Sequence, residues 1–270
     1  MADRQNQDDG AQVLDTGGVL ALADRLAARK PALFLDFDGT LCDIALRPDH
    51  ARMDPAMRDL VRSLARLCPV GILSGRDLED VKEKVGVPGL IYGGSHGLDL
   101  EAPGGRHQLG DDHVPALRRI DHALTTRLAV VHGALIERKR YAIAVHIREV
   151  APPFRDDVAA VVAEVVGAEP GLRQAAGKEL FEIRPDIEWD KGRALLHLLR
   201  AEGLERYHAV YIGDDVTDED AFAVLRGPGR HGTGIRVAGQ GGGTLATEVI
   251  PDIAAVGALL SRLHSRLSSG

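Results

Sequence analysis

The sequence has little cysteine, few aromatic residues and no long apolar run. Among its 270 residues there are two cysteines, and aromatic residues make up 4% of the chain. Cys42 and Cys68 are too few for a disulfide scaffold, so we expect a reduced protein in the cytoplasm. The few aromatic side chains leave little material for stacking nucleic-acid bases. No stretch approaches the roughly 18 consecutive apolar residues that a membrane span needs.

The chain also lacks an excess of positive charge. It carries 33 lysines and arginines against 40 aspartates and glutamates, which gives a formal net charge of −7. This balance argues against nucleic acid or a membrane as a partner, although a few cations suffice to bind one phosphate. The first ten residues, MADRQNQDDG, have neither the cationic start nor the apolar segment of a secretory signal. We expect a soluble monomer or weak dimer.

Five short apolar segments alternate with helical patterns. The segments lie at 32–36, 70–74, 89–95, 209–214 and 234–237. Because they show no polar alternation and helices separate them, they indicate a parallel sheet that is covered on both faces. We therefore predict an α/β fold with a doubly wound, Rossmann-like core. The helical patterns lie at 18–30, from 55 onwards, and at 77–85, 191–202, 218–225 and 253–267.

The middle of the chain has a different order of elements. Helical patterns at about 115–131 and 153–166 are each followed by two strand-like segments. This order predicts an inserted α+β cap domain whose antiparallel sheet has helices on one face. Residues 1–17 are polar and are expected to be disordered. The predicted domains are a tail with a short helix at 1–30, a core at 31–103 and 184–270, and a cap at 104–183.

Two aspartates follow the first apolar segment in LFLDFDGTL. Asp36 and Asp38 lie at the carboxyl end of a predicted parallel strand, the edge at which open sheets bind ligands. Two carboxylates there repel each other unless a cation or a shared proton compensates, and such oxygen ligands suit Mg²⁺. Gly39 and Thr40 allow a tight turn that directs a hydroxyl to the same site. The alternative is an acidic turn with a threonine cap.

A serine and a lysine occupy comparable positions. In ILSGR, Ser74 ends a strand before a helix, where hydroxyl and N–H groups form a phosphate-binding site, or phosphate seat. Arg76 can bind the same phosphate or a sugar oxygen. In WDKG, Lys191 lies in a first helical turn, where a cation opposes the helix dipole at a cost of about 0.3–1 kcal/mol. Such violations are expected mainly where function requires them. An ordinary cap and a solvated lysine are the alternatives.

The segment GDDVTDED contains five acidic residues within seven positions. If a helix begins near Thr217, Asp214 and Asp218 can turn towards one cation. Thr217 and Asp220 also fit a capping box, which is the structural explanation for part of this cluster. We predict that the segment contributes to a metal site.

Together, these four segments resemble the haloacid dehalogenase superfamily. The resemblance implies Mg²⁺-dependent phosphoryl transfer through an aspartyl-phosphate. It gives Asp36 the position of the nucleophile and Asp38 that of the acid and base, while Ser74 and Lys191 take the positions that hold the phosphate. The implied metal ligands are Asp36, Asp38, Asp214 and Asp218.

Side-chain alternation gives the predicted cap sheet two different faces. In YAIAVHIR, Ile143 and Val145 fall on one face, and His146 and Arg148 fall on the other. Glu182 of ELFEIR adds a carboxylate to a polar face of the same kind. Hydrogen-bonding side chains of both signs suit a polyhydroxylated ligand, although a merely solvated face is the alternative.

The cap segments sharpen the resemblance. The set LFLDFDGTL, ILSGR, GGSHGL, ERKRYAIAVHIR, GKELFEIRP, WDKG and GDDVTDED resembles the trehalose-6-phosphate phosphatase family. This resemblance implies hydrolysis of trehalose 6-phosphate, a small-molecule sugar phosphate. One departure is Ile147, where the family pattern leads us to expect tyrosine. The implied substrate contacts are Thr40, Gly75, Arg76, Gly94, Ser95, His96, Glu137, Lys139, His146, Arg148, Lys178 and Glu182.

Three other functions are compatible with parts of this pattern. A related capped phosphatase would act on another sugar phosphate, such as sucrose 6-phosphate or mannosyl-phosphoglycerate. A catalytically silent regulator would bind a sugar phosphate without turnover, but it would have no need of Asp38. A receiver domain also has a phosphorylatable aspartate, but it would carry that residue later in the chain and would lack the insertion.

Overall fold

The computed structural model describes residues 12–45, 47–177, 179–227, 232–238 and 243–269. The chain forms two compact units. The first consists of Met1–Arg106 and Trp189–Gly270, and the second of His107–Glu188.

Strands and helices alternate along both units. The strands are β1 (Pro31–Leu35), β2 (Val70–Leu73), β3 (Ile91–Gly94), β4 (Asp99–Ala102), β5 (Gly105–Gln108), β6 (Leu135–Arg138), β7 (Ile143–His146), β8 (Leu172–Gly177), β9 (Leu180–Pro185), β10 (His208–Gly213), β11 (Thr233–Val237) and β12 (Glu248–Ile250). The α-helices are α1 (Thr16–Ala27), α2 (Pro55–Leu64), α3 (Leu78–Val85), α4 (Val114–Leu128), α5 (Arg155–Gly167), α6 (Lys191–Ala201), α7 (Glu219–Leu225) and α8 (Ile253–Ser268).

The first unit is built on an eight-stranded sheet in the order β12-β11-β10-β1-β2-β3-β4-β5. Neighbouring strands from β12 to β3 are parallel, whereas β4 is antiparallel to β3. Alternate residues of β1 face two apolar clusters, because Leu33 and Leu35 pack with α1, α2 and α8, while Phe34 packs with α6 and α7. Helices therefore cover both faces of the sheet, and the predicted doubly wound core is confirmed.

Three strands of this sheet were not expected from the sequence, and two of them, β5 and β12, are its edge strands. The third is β4, and β5 lies within a segment that the sequence presents as turn-rich. Edge strands need only one pairing partner and are often short. The three exposed residues at the start of β5, Gly105, Arg106 and His107, offer no apolar periodicity.

The beginning of the chain belongs to the first unit. Val13 bridges to Val249 of β12, and the Asp15 side chain accepts a hydrogen bond from the Gly18 N–H to cap α1. The helix then packs on α8 within the core cluster. The prediction of disorder up to residue 17 and of a separate segment 1–30 is therefore wrong for residues 12–30. Residues 1–11 lie outside the described part of the chain.

The second unit has the predicted antiparallel sheet, in the order β6-β7-β9-β8. Ile143, Val145 and Ile183 point from this sheet into an apolar cluster with α4 and α5. His146 lies on the opposite face and is half-buried. The predicted α+β architecture and the alternation of the two faces are confirmed.

The unit boundaries differ from the predicted 104–183. β5 extends the sheet of the first unit beyond β4, so the insertion begins at His107. At the other end, β9 continues to Pro185, and the Asp186 N–H donates a hydrogen bond to the Gly171 carbonyl. The insertion therefore ends at Glu188. None of the described helices combines the length and the apolar composition that a membrane crossing requires.

Candidate active site

The predicted catalytic residues of the first unit lie at one edge of its sheet. Asp36 follows β1, Ser74 follows β2 and Asp214 follows β10, all at the carboxyl ends of parallel strands. Lys191 is the first residue of α6. In an open parallel sheet these positions converge on one crevice.

A buried ammonium group lies at the centre of this site. Lys191 Nζ is 2.8 Å from Asp36 Oδ1 and 2.7 Å from Asp218 Oδ1. The three residues are at most 5% exposed. Because a buried charge requires a partner, the two carboxylates explain how Lys191 is tolerated in a first helical turn. Burial lowers the pKa of this ammonium, but the two adjacent carboxylates outweigh that effect and keep it above its usual value.

Three carboxylates are close enough to share one cation. Asp36, Asp214 and Asp218 each offer an oxygen atom, and these atoms lie within 4.8 Å of one another. With Lys191 included, three negative charges face one positive charge. A divalent cation would neutralise the two negative charges that remain. Burial, followed by the charges of Asp218 and Asp215, raises the pKa of Asp214 to about 6. Burial also raises the pKa of Asp36, although Lys191 opposes this increase.

The surroundings of Asp214 support a cation site. Its Oδ1 atom is buried and accepts no hydrogen bond from the described residues. Gly39 adopts a φ of +79°, and a Cβ atom at this position would overlap the Asp214 carboxylate. Glycine therefore serves both the turn and the close approach. A buried oxygen without a donor fits a carboxylate that binds a metal ion.

The position of Asp218 is fixed by two further donors. The Tyr211 hydroxyl donates to Asp218 Oδ1 at 2.7 Å, and the Asp215 N–H donates to Asp218 Oδ2 at 2.9 Å. The capping box is formed by Asp215 and Asp218, so the predicted box of Thr217 and Asp220 is wrong. Tyr211 was not predicted from the sequence as a site residue, although a tyrosine hydroxyl on a buried strand needs a hydrogen-bond partner.

Asp38 lies apart from the three-carboxylate group. Its two oxygen atoms accept hydrogen bonds from Arg76 Nε and Nη2, both at 2.7 Å. Arg76 Nη1 also donates to Asp80 at 2.9 Å, and the guanidinium lies 5.5 Å from the centre of the Phe37 ring. The structure therefore does not place the Asp38 carboxylate among the candidate metal ligands, and it directs Arg76 to Asp38.

Two buried hydroxyl groups lie in the loops after β1 and β2. Ser74 is 1% exposed, and its Oγ accepts a hydrogen bond from the Arg76 N–H at 3.2 Å. Thr40 is fully buried, and its Oγ1 has no hydrogen-bond partner among the described residues. A Cβ atom at Gly75 would lie 2.8 Å from the His96 ring. The loop at Gly75 is therefore packed so closely that only a small residue fits there.

The segment after β3 is held in an unusual conformation. Ser95 and His96 have φ values of +50° and +56°, which cost of order 1–3 kcal/mol each for residues other than glycine. Main-chain hydrogen bonds compensate, from Ser95 N–H to Arg76 O at 2.7 Å and from His96 N–H to Ser74 O at 2.9 Å. A Cβ atom at Gly94 would overlap the Leu78 N–H. This segment is thereby joined to the loop that carries Ser74 and Arg76.

Three predicted sugar contacts of the second unit share one sheet face. Glu137 and Glu182 flank Ala144 of β7 in register, and His146 Nε2 lies 2.9 Å from Glu137 Oε2. The short side chain of Ala144 lies between the two glutamates and is buried. Lys139 lies just beyond β6, where its backbone N–H donates a hydrogen bond to the Ala142 carbonyl.

The remaining predicted contacts are Arg148 and Lys178. Arg148 is exposed and forms an ion pair with Glu179 at 3.0 Å. Lys178 lies outside the described residues.

Residues 34–248 match the Trehalose-phosphatase family. A trehalose-phosphate phosphatase of Mycobacterium avium is 44% identical to this chain over 248 residues, which are 90% of this chain and 62% of that protein. The chain thus spans less than two thirds of the length of this relative.

Solved structures similar to this chain include two trehalose-6-phosphate phosphatases. The C-terminal domain of C. albicans trehalose-6-phosphate phosphatase is similar with a TM-score of 0.75 and 21% identity, covering 96% of this chain and 99% of that chain. A trehalose-6-phosphate phosphatase of Aspergillus fumigatus gives a TM-score of 0.64 and 26% identity, covering 95% and 99%. The matched region 34–248 includes every predicted catalytic residue. The chain therefore belongs to the trehalose-phosphatase family.

Proposed function

We propose that this protein is a magnesium-dependent phosphatase that hydrolyses trehalose 6-phosphate to trehalose and inorganic phosphate. The observation that supports this most is the contact of Lys191 with both Asp36 and Asp218, beside Asp214. This arrangement places a candidate nucleophile next to an ammonium group and a candidate cation site. A carboxylate can attack an anionic phosphate only where positive charge offsets their repulsion.

The reaction has two chemical steps. In the first, an Asp36 carboxylate oxygen bonds to phosphorus, the bond between phosphorus and the sugar oxygen breaks, and Asp38 donates a proton to that oxygen. In the second, Asp38 takes a proton from water, the water oxygen bonds to phosphorus, and the Asp36 oxygen is released. General acid–base catalysis of this kind contributes about 10²–10⁴ in rate.

The family implies a divalent metal, and we propose Mg²⁺. Asp36, Asp214 and Asp218 would hold it, because all three offer hard oxygen ligands. When bound, the ion supplies charge neutralisation at the phosphate. We do not assign the Asp38 carboxylate to the metal, since Arg76 already binds both of its oxygen atoms.

Phosphate binding and sugar recognition are assigned to different residues. The phosphate is assigned to the ammonium group of Lys191 and to the hydroxyl groups of Ser74 and Thr40. Substrate contacts are also assigned to the turns at Gly75 and Gly94. Ser95 and His96 would contact the substrate from the same unit. In the second unit, we assign sugar contacts to Glu137, Lys139, His146, Arg148, Lys178 and Glu182. Carboxylates accept hydrogen bonds from sugar hydroxyl groups, and the basic side chains donate to them.

Phosphate release from a panel of sugar phosphates tests the substrate assignment. The purified full chain with Mg²⁺ should hydrolyse trehalose 6-phosphate at least about tenfold more efficiently than glucose 6-phosphate, since only the disaccharide engages the whole polar face. Sucrose 6-phosphate and mannosyl-phosphoglycerate complete the panel. Equal efficiency on glucose 6-phosphate would refute the disaccharide specificity. A preference for another sugar phosphate of the panel would identify that compound as the substrate instead.

A nucleophile variant tests the covalent mechanism. Asp36→Asn should remain folded and lose turnover by more than the loss expected for an acid–base residue, about 10²–10⁴. The matched control is Asp43→Asn, an exposed carboxylate shortly after the motif, which should retain activity. Turnover by Asp36→Asn comparable with that of the control would contradict the aspartyl-phosphate.

We also propose that the protein acts in the cytoplasm as a monomer or weak dimer. The low cysteine content supports a reducing compartment. Sedimentation velocity at several protein concentrations measures the oligomeric state, and a stable dimer or larger species at every concentration would contradict this proposal.

A further inference from the structure

A cleft of about 870 Å³ lies in the first unit at the amino ends of β1, β10 and β11. The segment between α1 and β1, the end of α6 and the connection from α6 to β10 form its walls. The volume is within the range of small-molecule sites, roughly 300–1,000 Å³. The candidate active site lies at the carboxyl ends of the same strands. β10 spans the five residue steps from His208 to Gly213, so its two ends are roughly 17 Å apart.

Cations dominate the polar lining of this cleft. Arg29, Lys30, Arg200 and Arg206 line it, against a single carboxylate from Glu205. Among the described residues, none of these four cations forms an ion pair. Elsewhere in this acidic chain, arginines are widely paired, as Arg262 and Arg266 are with Asp24.

The helix ends at the cleft account for only part of this charge. α1 and α6 both end there, and each C-terminus carries a partial charge of about −0.5, which attracts basic residues. The two ends together offset about one positive charge, and Glu205 offsets a second. Four cations therefore leave a surplus of about two positive charges.

One of the four cations is held at a conformational cost. Lys30 has a φ of +24°, which lysine rarely adopts, and its ammonium lies 4.3 Å from the centre of the Tyr207 ring. Glycine is the usual choice where the backbone adopts a positive φ. A strained residue that keeps a charged side chain in a cleft is a candidate for function.

We propose that this cleft is a second ligand site, which binds a small phosphorylated molecule that carries at least two negative charges. Arginine forks and the lysine ammonium donate to phosphate oxygens, and two negative charges match the surplus. Leu196, Leu204 and Leu225 line the same cleft and provide apolar surface for the remainder of the molecule. The site is independent of the catalytic residues and does not rest on the proposed function.

Isothermal titration of the full chain in EDTA tests this site. The probes are ADP, inorganic pyrophosphate and citrate. ADP carries phosphate groups and an organic group, pyrophosphate carries phosphate groups alone, and citrate carries carboxylates but no phosphate, so together they show which chemical group the cleft binds. We expect ADP and pyrophosphate to bind with one site each, and citrate to bind at least about tenfold more weakly. The proposal would be overturned if neither ADP nor pyrophosphate bound measurably, or if citrate bound at least as tightly as they do.

Two sets of variants locate the binding. Arg200→Gln combined with Arg206→Gln should weaken ADP binding at least about tenfold, because two charge-assisted hydrogen bonds are lost. Lys30→Gly should weaken ADP binding and leave the thermal midpoint unchanged or higher, because glycine tolerates the positive φ. The separate response of affinity and stability excludes unfolding as the cause of lost binding.

Matched controls complete the test. Arg66→Gln removes an exposed arginine that follows α2 and does not line the cleft, so affinity should stay within about twofold. Ser74→Ala, at the phosphate seat of the candidate active site, should also leave ADP affinity unchanged. Weaker binding in Ser74→Ala with full binding in the Arg200 and Arg206 variant would place the probe in the active site and refute the second site.

Discussion

At the residue scale, the hydroxyl of Tyr211 contributes one of the donors that orient Asp218. Tyr211→Phe removes the 2.7 Å hydrogen bond to Asp218 Oδ1 but retains the aromatic ring, whose edge contact with Phe222 can persist. Lys191 still donates to the same oxygen, so we expect a partial loss of kcat, roughly three- to tenfold. Steady-state kinetics at several Mg²⁺ concentrations, together with the Tm, measure this effect. A lower Tm with unchanged kcat would assign Tyr211 a role in stability alone.

Arg76 provides a second residue-scale prediction, which separates proton donation from phosphate binding. Arg76→Lys keeps the positive charge but cannot form the paired hydrogen bonds to Asp38. We expect kcat for trehalose 6-phosphate to fall on the order of tenfold, because Asp38, the proposed proton donor, is no longer oriented towards the sugar oxygen. p-Nitrophenyl phosphate has a leaving group that needs no protonation, so its hydrolysis should fall less than about threefold. Equal losses on both substrates would show that Arg76 acts on the phosphate instead.

The sequence identified the chemistry-bearing residues better than their partners. Asp36, Ser74, Lys191 and Asp214 were found because each lies where an apolar strand ends or a helix begins. The contact of Lys191 with Asp36 joins residues far apart in the chain, and no local pattern encodes it. For the same reason, the paired hydrogen bonds of Arg76 to Asp38 were not predicted from the sequence.

At the scale of elements, a carboxylate joins the first helix to the last. Asp24 of α1 accepts hydrogen bonds from Arg262 at 2.7 and 3.0 Å and from Arg266 at 2.8 and 3.0 Å, both on α8. These two guanidinium groups hold the pKa of Asp24 well below its usual range. A carboxyl group with a lowered pKa in the folded state stabilises the fold above its unfolded pKa of about 3.9, and this stabilisation is lost as the pH falls through the folded value.

Asp24→Asn should therefore lower the Tm by about 1–2 °C at pH 7, a small effect because the ion pairs are exposed. The difference from the parent protein should shrink as the pH drops below about 4. Asp59→Asn is the matched control, because it removes an ion pair within α2 and joins no two elements. A constant difference across the pH range would show that charge does not link α1 to α8.

Strands and helices were predicted correctly where burial makes a segment apolar or gives it a period, and strands were missed towards the edges of the sheet. The five central strands and the alternating face of β7 are apolar enough to be read directly from the sequence. β5 is exposed and polar along most of its length, and β12 has three residues, so neither carries a periodic signal. The start of α1 was placed late because Asp15, rather than an apolar residue, determines where the helix begins.

At the scale of the whole molecule, the two units have separate apolar cores. Leu124 of α4 is fully buried in the cluster of the second unit, and Leu259 of α8 is fully buried in that of the first. Truncating either leucine to alanine removes comparable packing and should cost about 2–5 kcal/mol. The consequences for function should differ, because the proposed catalytic residues belong to the first unit and the proposed sugar contacts of the polar sheet face belong to the second.

Leu124→Ala should increase hydrogen exchange in α4 and α5 while exchange in α1 and α8 stays near the parent level, because local stability follows each core. Hydrolysis of p-nitrophenyl phosphate, which requires only the catalytic residues, should persist, whereas efficiency towards trehalose 6-phosphate should fall. Leu259→Ala should show the opposite exchange pattern and reduce both activities in proportion to the folded fraction. If Leu124→Ala instead increased exchange in all four helices and reduced both activities equally, the units would unfold together, and sugar recognition could not be separated from phosphoryl transfer.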